Sequence, residues 1–434
     1  MSIFNKFQYL NKNTDAKGMG SVSLDVTVAS MDAGLKPPWK GLRRVTASDT
    51  EPRADSKTAL RTLTFSLLLA ATLSANAVEL TLEKGYDSNP HKISAPPYSA
   101  TYTGLQLQHA DKYSLKNKAS LSYHVKVNSK WYQDPAKTAD SQRIDARVRW
   151  ANRFKIGDKT ANLLLTADLR SDQSNYFSQL QRQIATTSRG DSLEDRFNYR
   201  SAKLAAELIY RFDKQKSLSL HSYIAQRNYQ QNYSELGVEG LDFKEINLQP
   251  TFRYKAKNGL YLRPFVYLRY RHYDQLLNDN SDGRNIIGSP LTYRFTGYGL
   301  VANKPLTDNL IVKSYINGYW ARDNAQGYRD LNYHKWELGL EYALGNARQL
   351  ALKNICYSKD YLQDSFRTME AETGDAGRKR TGCYVEGIYR QPLDIGLGDK
   401  LSWQVKASTE KEDNSETVLS YQRSTVALGV HYQF

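Results

Sequence analysis

The chain has no run of eighteen apolar residues, and its mean hydropathy is −0.64, which excludes a helical membrane protein. It has only two cysteines, Cys356 and Cys383, too few for a disulfide-built scaffold. Its seven histidines show no metal-ligand spacing, and no Ser/His/Asp group assembles from the pattern. No catalytic residue, metal ion or cofactor is therefore expected. Helix-length periodicity is almost absent after residue 78. Low hydropathy leaves one membrane architecture open, because a β-barrel has polar loops and lumen and shows lipid only alternate residues in short bands.

What is present is tyrosine, charge and alternation. There are 31 tyrosines, and only Tyr9 precedes residue 78. Tyrosine and tryptophan suit a membrane interface, since one end is apolar and the other can be hydrated. The formal charge is +15; ten Lys/Arg against six Asp/Glu give residues 1–77 +4, leaving +11 for the remainder. A basic excess fits nucleic acid, acidic lipid or an anionic solute, and the positions of the charges must choose among them.

Residues 1–56 show no periodicity and are read as an unstructured or mis-annotated extension. Residues 57–77 have the three parts of a secretory signal: basic Lys57 to Arg61, an apolar run from Phe65 to Leu73, and small Ala75 and Ala77. From 78 to 434, period-two runs alternate with turn residues. Sixteen strands can be read: 78–86, 98–110, 116–129, 141–156, 160–171, 195–212, 217–231, 241–256, 259–275, 289–303, 309–323, 329–344, 349–361, 377–390, 399–412 and 415–434. Even-numbered connections are short, as at Gly157-Asp158 and Asn258-Gly259, whereas 131–140, 172–194, 276–288 and 362–376 are long. Short turns at one end and long loops at the other predict an all-β, up-and-down antiparallel transmembrane barrel. Calcium-loop spacing at Asn278, Asn280 and Asp282 lacks the required Glu, since Ser289 takes its place, and reads as a solvated loop.

The last strand carries a resemblance. Val418, Val426, Leu428, Val430, Tyr432 and Phe434 share one parity, and Thr417, Tyr421, Arg423, Thr425, His431 and Gln433 the other. Gly429, Tyr432 and Phe434 resemble the assembly signal of Gram-negative outer-membrane β-barrels, although that family prefers a polar residue where Ala427 stands. The resemblance implies the cell outer membrane, with its lipid and barrel-assembly machinery as partners. Gly85-Tyr-Asp-Ser-Asn-Pro90 resembles the start of β-barrel porins associated with exopolysaccharide export, and an Asx turn explains the same residues equally well. The loop 172–194 matches the lumen-folded loop of general porins in position and length, without their acidic-aromatic signature.

The apolar face of each strand assigns its charges. Ile144, Ala146, Val148, Trp150 and Phe154 outward put Arg143, Arg147, Arg149 and Arg153 inward. Leu260, Leu262, Val266, Leu268 and Tyr270 outward leave Arg263, Tyr267, Arg269 and Arg271 inside, and Lys126, Arg227 and Arg253 follow the same logic. A lipid-facing guanidinium costs about 2–4 kcal/mol at the bilayer midplane. Inward Asp145, Asp168, Glu207, Glu245 and Glu337 leave two readings open: ion pairs that stiffen the wall, or a basic lumen for anionic saccharides. The latter covers export of an acidic exopolysaccharide, with periplasmic export partners, or diffusion of acidic oligosaccharides. Nucleic acid is not an expected partner. The alternatives are a non-conducting structural or surface-binding barrel and, behind it, a barrel enzyme acting on lipid or polysaccharide. Cys356 and Cys383 lie on consecutive strands in a register that also sets Leu350 against Tyr389 and Leu352 against Gly387, and a disulfide between them is expected.

Overall fold

The computed structural model describes residues 78–433 apart from 95–97, 176, 179–182, 185–189, 191, 230–239, 281, 283, 363–378, 394–399 and 416–418. The extension 1–56, the signal segment 57–77 and Phe434 lie outside the described residues, as does much of the loop 172–194. The strands are β1 Val78–Asp87, β2 Ala100–Ser114, β3 Ala119–Tyr132, β4 Ser141–Ile156, β5 Lys159–Ser174, β8 Tyr199–Arg211, β9 Lys216–Tyr229 and β10 Phe243–Lys255. They continue as β11 Tyr261–Asp279, β12 Asn285–Pro305, β13 Leu310–Arg322, β14 Leu331–Gly345, β15 Arg348–Tyr361, β16 Lys379–Pro392, β17 Leu401–Asn414 and β18 Tyr421–Gln433. Two short strands, β6 Phe177–Ser178 and β7 Gln183–Ile184, pair only with each other. The other sixteen form a closed antiparallel barrel in which β1 pairs with both β2 and β18.

The expected strand count and loop sorting hold. The main differences in extent are β18, which starts at Tyr421 rather than 415, β2, which runs to Ser114 rather than 110, β8, which starts at Tyr199 rather than 195, and β11 and β12, which project beyond the expected 275 and 289 to Asp279 and Asn285. Asn278 stabilises that projection by donating to Ser289 Oγ at 2.8 Å and to the Pro290 carbonyl. Asp279 pairs with Arg329 at 2.5 Å. The calcium-like spacing therefore includes a hairpin clasp, and among the described residues no group of three metal-ligating side chains occurs.

Alternation decides the wall. Outward Leu82, Leu165, Leu169, Leu204, Ile224, Leu248, Leu268, Leu428 and Val430 are exposed, while inward Tyr421, Ala427 and His431 on β18 are buried. Exposed Tyr86, Tyr298, Trp320, Trp336 and Tyr342 accompany this apolar belt. Lys84 departs from the rule, on the outward parity between Leu82 and Tyr86. A lysine stem at that level lies along the wall and carries its ammonium to the headgroups.

The cysteines are joined. Cys356 faces Cys383 across β15 and β16 with Cα atoms 4.1 Å apart, in the register that also opposes Leu350 to Tyr389 and Leu352 to Gly387. The bond lies on the outer parity of the wall, where Trp336 faces Cys356 from β14. Closing a span of 27 residues restricts the unfolded chain by about 3–4 kcal/mol in the loop-entropy account. Thiol titration of the denatured protein without reductant should find no free thiol; two would mean that the strands pair in another register.

The first long loop docks onto the third. His91 Nε2 meets Thr138 Oγ1 at 2.7 Å, and His91 Nδ1 meets the Tyr98 hydroxyl at 2.7 Å. Burial pulls the imidazole pKa down to about 4, against the opposing pull of Asp87. The undocked ring titrates near its ordinary value and so binds protons first on acidification. Docking is thus at full strength above about pH 6.5 and is lost as pH falls towards about 4. Proteolysis within residues 88–99 should accelerate across that window, and His91→Gln should flatten the pH dependence of the cleavage rate.

Candidate functional site

The inward positions of one strand face the inward positions of the next, so register shows which charges meet. On β4, β5 and β8, Asp145 stands opposite both Lys126 and Arg170, and Asp168 opposite both Arg147 and Lys203. Asp145 accepts from Arg143 Nε at 2.9 Å and from Arg170 Nε at 2.7 Å. Asp168 takes Arg147 at 2.5 Å and Lys203 at 2.9 Å. Each carboxylate is shared by two cations, so pairing leaves positive charge over. Among the described residues Arg149 donates to the neutral Thr166 hydroxyl, at 3.4 Å, and Arg153 faces Asn162. On this wall ion pairs order the arginines, and among the described residues the inward arginines outnumber the acids.

A second group occupies β9, β10 and β11. Arg253 pairs with Glu207 on β8, and Arg263 stands two positions along β11 from Phe265. Further along, Glu245 receives the Tyr223 hydroxyl and faces Arg269 at 3.8 Å and Arg271 at 4.0 Å. Arg227 sits 3.9 Å from the Tyr199 ring and 4.9 Å from the Phe243 ring. The sequence places Arg227, Arg269, Arg271 and Tyr267 inward, and they are inward, but Arg227, Arg271 and Tyr267 are buried and Arg269 nearly so.

What covers them is an aromatic arc that alternation alone does not reveal. Ring contacts run from Tyr199 on β8 through Tyr229, Phe243, Tyr273 and Tyr293 to Phe295 on β12. They continue through Tyr319 and Tyr333 to Tyr357 on β15. Glycine lets two neighbouring β11 rings lie against the wall. Tyr267 packs over Gly297, where an added Cβ would stand 2.2 Å from its ring, and Phe265 packs over Gly299 in the same way. The lumen therefore has a charged wall on β4, β5 and β8 and an aromatic wall from β8 to β15. With a closed ring of sixteen antiparallel strands, an apolar outer belt and a polar interior, the environment is decided. The chain is an outer-membrane β-barrel.

A third group closes the barrel seam and was not legible as a group. Asp87, fully buried, accepts from Arg423 Nε at 3.0 Å and Nη2 at 2.6 Å, from the Tyr132 hydroxyl at 2.7 Å and from Lys130 at 3.3 Å. Glu410 joins through Lys92 at 2.9 Å and Tyr421 at 2.7 Å. A cavity of about 170 Å³ lies beside this cluster, lined by Glu83, Tyr102, Lys130, Lys406, Glu410 and Arg423, among others. The one sequence signal was the motif at Gly85–Pro90. Its Asx turn is real, since the Asn89 amide donates to Asp87 Oδ1 at 3.1 Å, and Gly85 lies under the Tyr102 ring.

No family model and no curated protein matches the chain. Among solved structures it is similar to OccAB1 of Acinetobacter baumannii, at 9% identity over 82% of this chain and 96% of that one, with a TM-score of 0.42. It is similar also to OccK2 (OpdF) of Pseudomonas aeruginosa in complex with glucuronate, at 10% identity over 82% and 98%, with a TM-score of 0.37. A third is OpdK of the same organism with vanillate, at 9% identity over 82% and 98%, with a TM-score of 0.40.

Proposed function

We propose that the barrel is an outer-membrane channel whose basic wall favours anionic saccharides. The observation that carries this reading is the sharing of Asp145 and of Asp168 between two cations each, with Arg149, among the described residues, on a neutral hydroxyl. Guanidinium forks at half-exposed positions suit the carboxylate of an acidic sugar. Across the lumen, tyrosine rings offer apolar faces to the sugar ring. Lys126, Arg143, Arg147, Arg149 and Arg153 are the residues assigned to this contact, with Arg253 and Arg263 farther round.

Export of an acidic exopolysaccharide and diffusion of acidic oligosaccharides use the same wall chemistry, and the direction is set by partners on the periplasmic side. The resemblance of Gly85–Pro90 to export-associated porins favours export; Asp87 and Asn89 of that motif also have the structural duties described above. Proteoliposome swelling tests the reading. Acidic di- and trisaccharides should enter faster than neutral ones of equal size, and the difference should shrink as salt rises. Equal rates for both classes would remove the substrate assignment. No swelling with any solute would favour the non-conducting barrel.

A further inference from the structure

Among the described residues, the buried cluster on β9, β10 and β11 has donors that no acceptor satisfies. Arg269 and Arg271 face the carboxylate of Glu245, and Arg227 stands close enough to act on it electrostatically, so among the described residues three guanidiniums share one carboxylate, a net of two positive charges. Their surroundings are closed: Glu245 is 3% exposed, Asn247 2% and Arg227 7%. Among the described residues, Arg227 Nε, Arg271 Nε and both Nε and Nη1 of Arg269 reach no hydrogen-bond acceptor. Neither Asn247 side-chain atom, nor Glu245 Oε2, has a hydrogen-bond partner among the described residues. Asn247 stands directly opposite Arg269 in the β10–β11 register, so the orphan donors of the two residues fall at one level of the wall.

The aromatic arc explains the form of this surplus. The Arg269 guanidinium lies 4.8 Å from the Tyr267 ring and 5.5 Å from the Phe295 ring. Arg271 lies 5.0 Å from Phe243 and 5.2 Å from Phe295. A guanidinium engages an aromatic through its face, while its N–H donors lie in its plane. Stacking therefore holds these arginines in place; Arg271 Nη1 donates to the Tyr273 hydroxyl at 2.7 Å, while the Nε–H of Arg227, Arg269 and Arg271 stays unused among the described residues. Buried charges need a counter-charge and buried N–H donors need an acceptor, and an oxyanion supplies both through bidentate contacts.

We propose that Arg269, Arg271, Arg227 and Asn247 form a binding site for an oxyanion, the group shared by sulfate, phosphate and carboxylate. The ion is either resident and inorganic or the acidic group of the transported solute, and only the second source rests on the channel reading. The test is calorimetry on the intact detergent-solubilised barrel, with sulfate as probe in a chloride background of constant ionic strength. Wild type should bind sulfate saturably at one site per barrel. Arg269→Gln should weaken it at least tenfold, Asn247→Ala severalfold, and Glu245→Gln, which removes the competing carboxylate, should tighten it.

If Arg269→Gln does not assemble, the opposite signs expected of Asn247→Ala and Glu245→Gln carry the test. Absence of saturable sulfate binding in wild type, or equal affinity in all assembled variants, would overturn the site. Competition by glucuronate would assign it to the solute's carboxylate, and sulfate binding without competition to a resident ion; both uphold the oxyanion site. A barrel that binds sulfate in this way but conducts without anion preference keeps the site and loses the channel reading.

Discussion

Replacing Asp87 with alanine should lower the stability of the barrel by about 3–5 kcal/mol, the usual cost of removing one partner from a buried ion pair. The carboxylate is fully buried and accepts from Arg423, Tyr132, Lys130 and the Asn89 amide. Its removal leaves two cations inside the wall with one acceptor fewer, and Arg423 keeps Glu410, at 3.7 Å, and the Tyr132 hydroxyl, at 3.2 Å. Asp87 belongs to the first strand and Arg423 to the last, so the loss falls on the seam that closes the ring. Heat-modified migration on gels should shift to lower temperature. Asp87→Asn, which keeps the shape but not the charge, should fall between. A double-mutant cycle with Arg423→Gln should show strong coupling, because each single change already breaks the pair. Independent, additive effects would mean that the two residues do not support each other.

The second large effect concerns selectivity. Changing Arg147 and Arg149 together to serine removes two positive charges from the half-exposed wall and frees Asp168 from one of its two cations. At about 0.15 M salt the screening length is about 8 Å, so wall charges still reach a passing ion in a constricted lumen. The double variant should move the reversal potential towards cations and relieve block by acidic oligosaccharides, with neutral ones little changed. Because Lys203 stays on Asp168 and Arg143 and Arg170 stay on Asp145, the wall keeps part of its order. A variant that loses conductance altogether, rather than selectivity, would assign the arginines to wall stiffness.

Some of this was legible in the sequence because it depends only on period two. Alternation on β4 puts Arg143 and Arg147 inward whatever the neighbouring strands do, and the hairpin register that sets Leu350 against Tyr389 already brings Cys356 to Cys383. The aromatic arc was not legible. Tyr199 and Tyr357 stand on separate strands, and only the closed register makes them the ends of one continuous surface. The burial of Arg227 and Arg271 follows from that surface, so a count of inward arginines overstates those that meet solvent. The pair Asp87–Arg423 lies 336 residues apart in sequence and meets only because the barrel closes. Sharing of Asp168 by Arg147 and Lys203 likewise needs three strands in register at once.

The central claim is a basic, conducting lumen, and the reversal potential of the purified wild-type barrel in a planar bilayer tests it most directly. Under a potassium chloride gradient at low ionic strength, the potential should lie on the chloride side of zero. Its departure from zero should shrink as salt approaches 1 M, where the screening length is about 3 Å. A potential on the potassium side, or one at zero in dilute salt, would contradict the account.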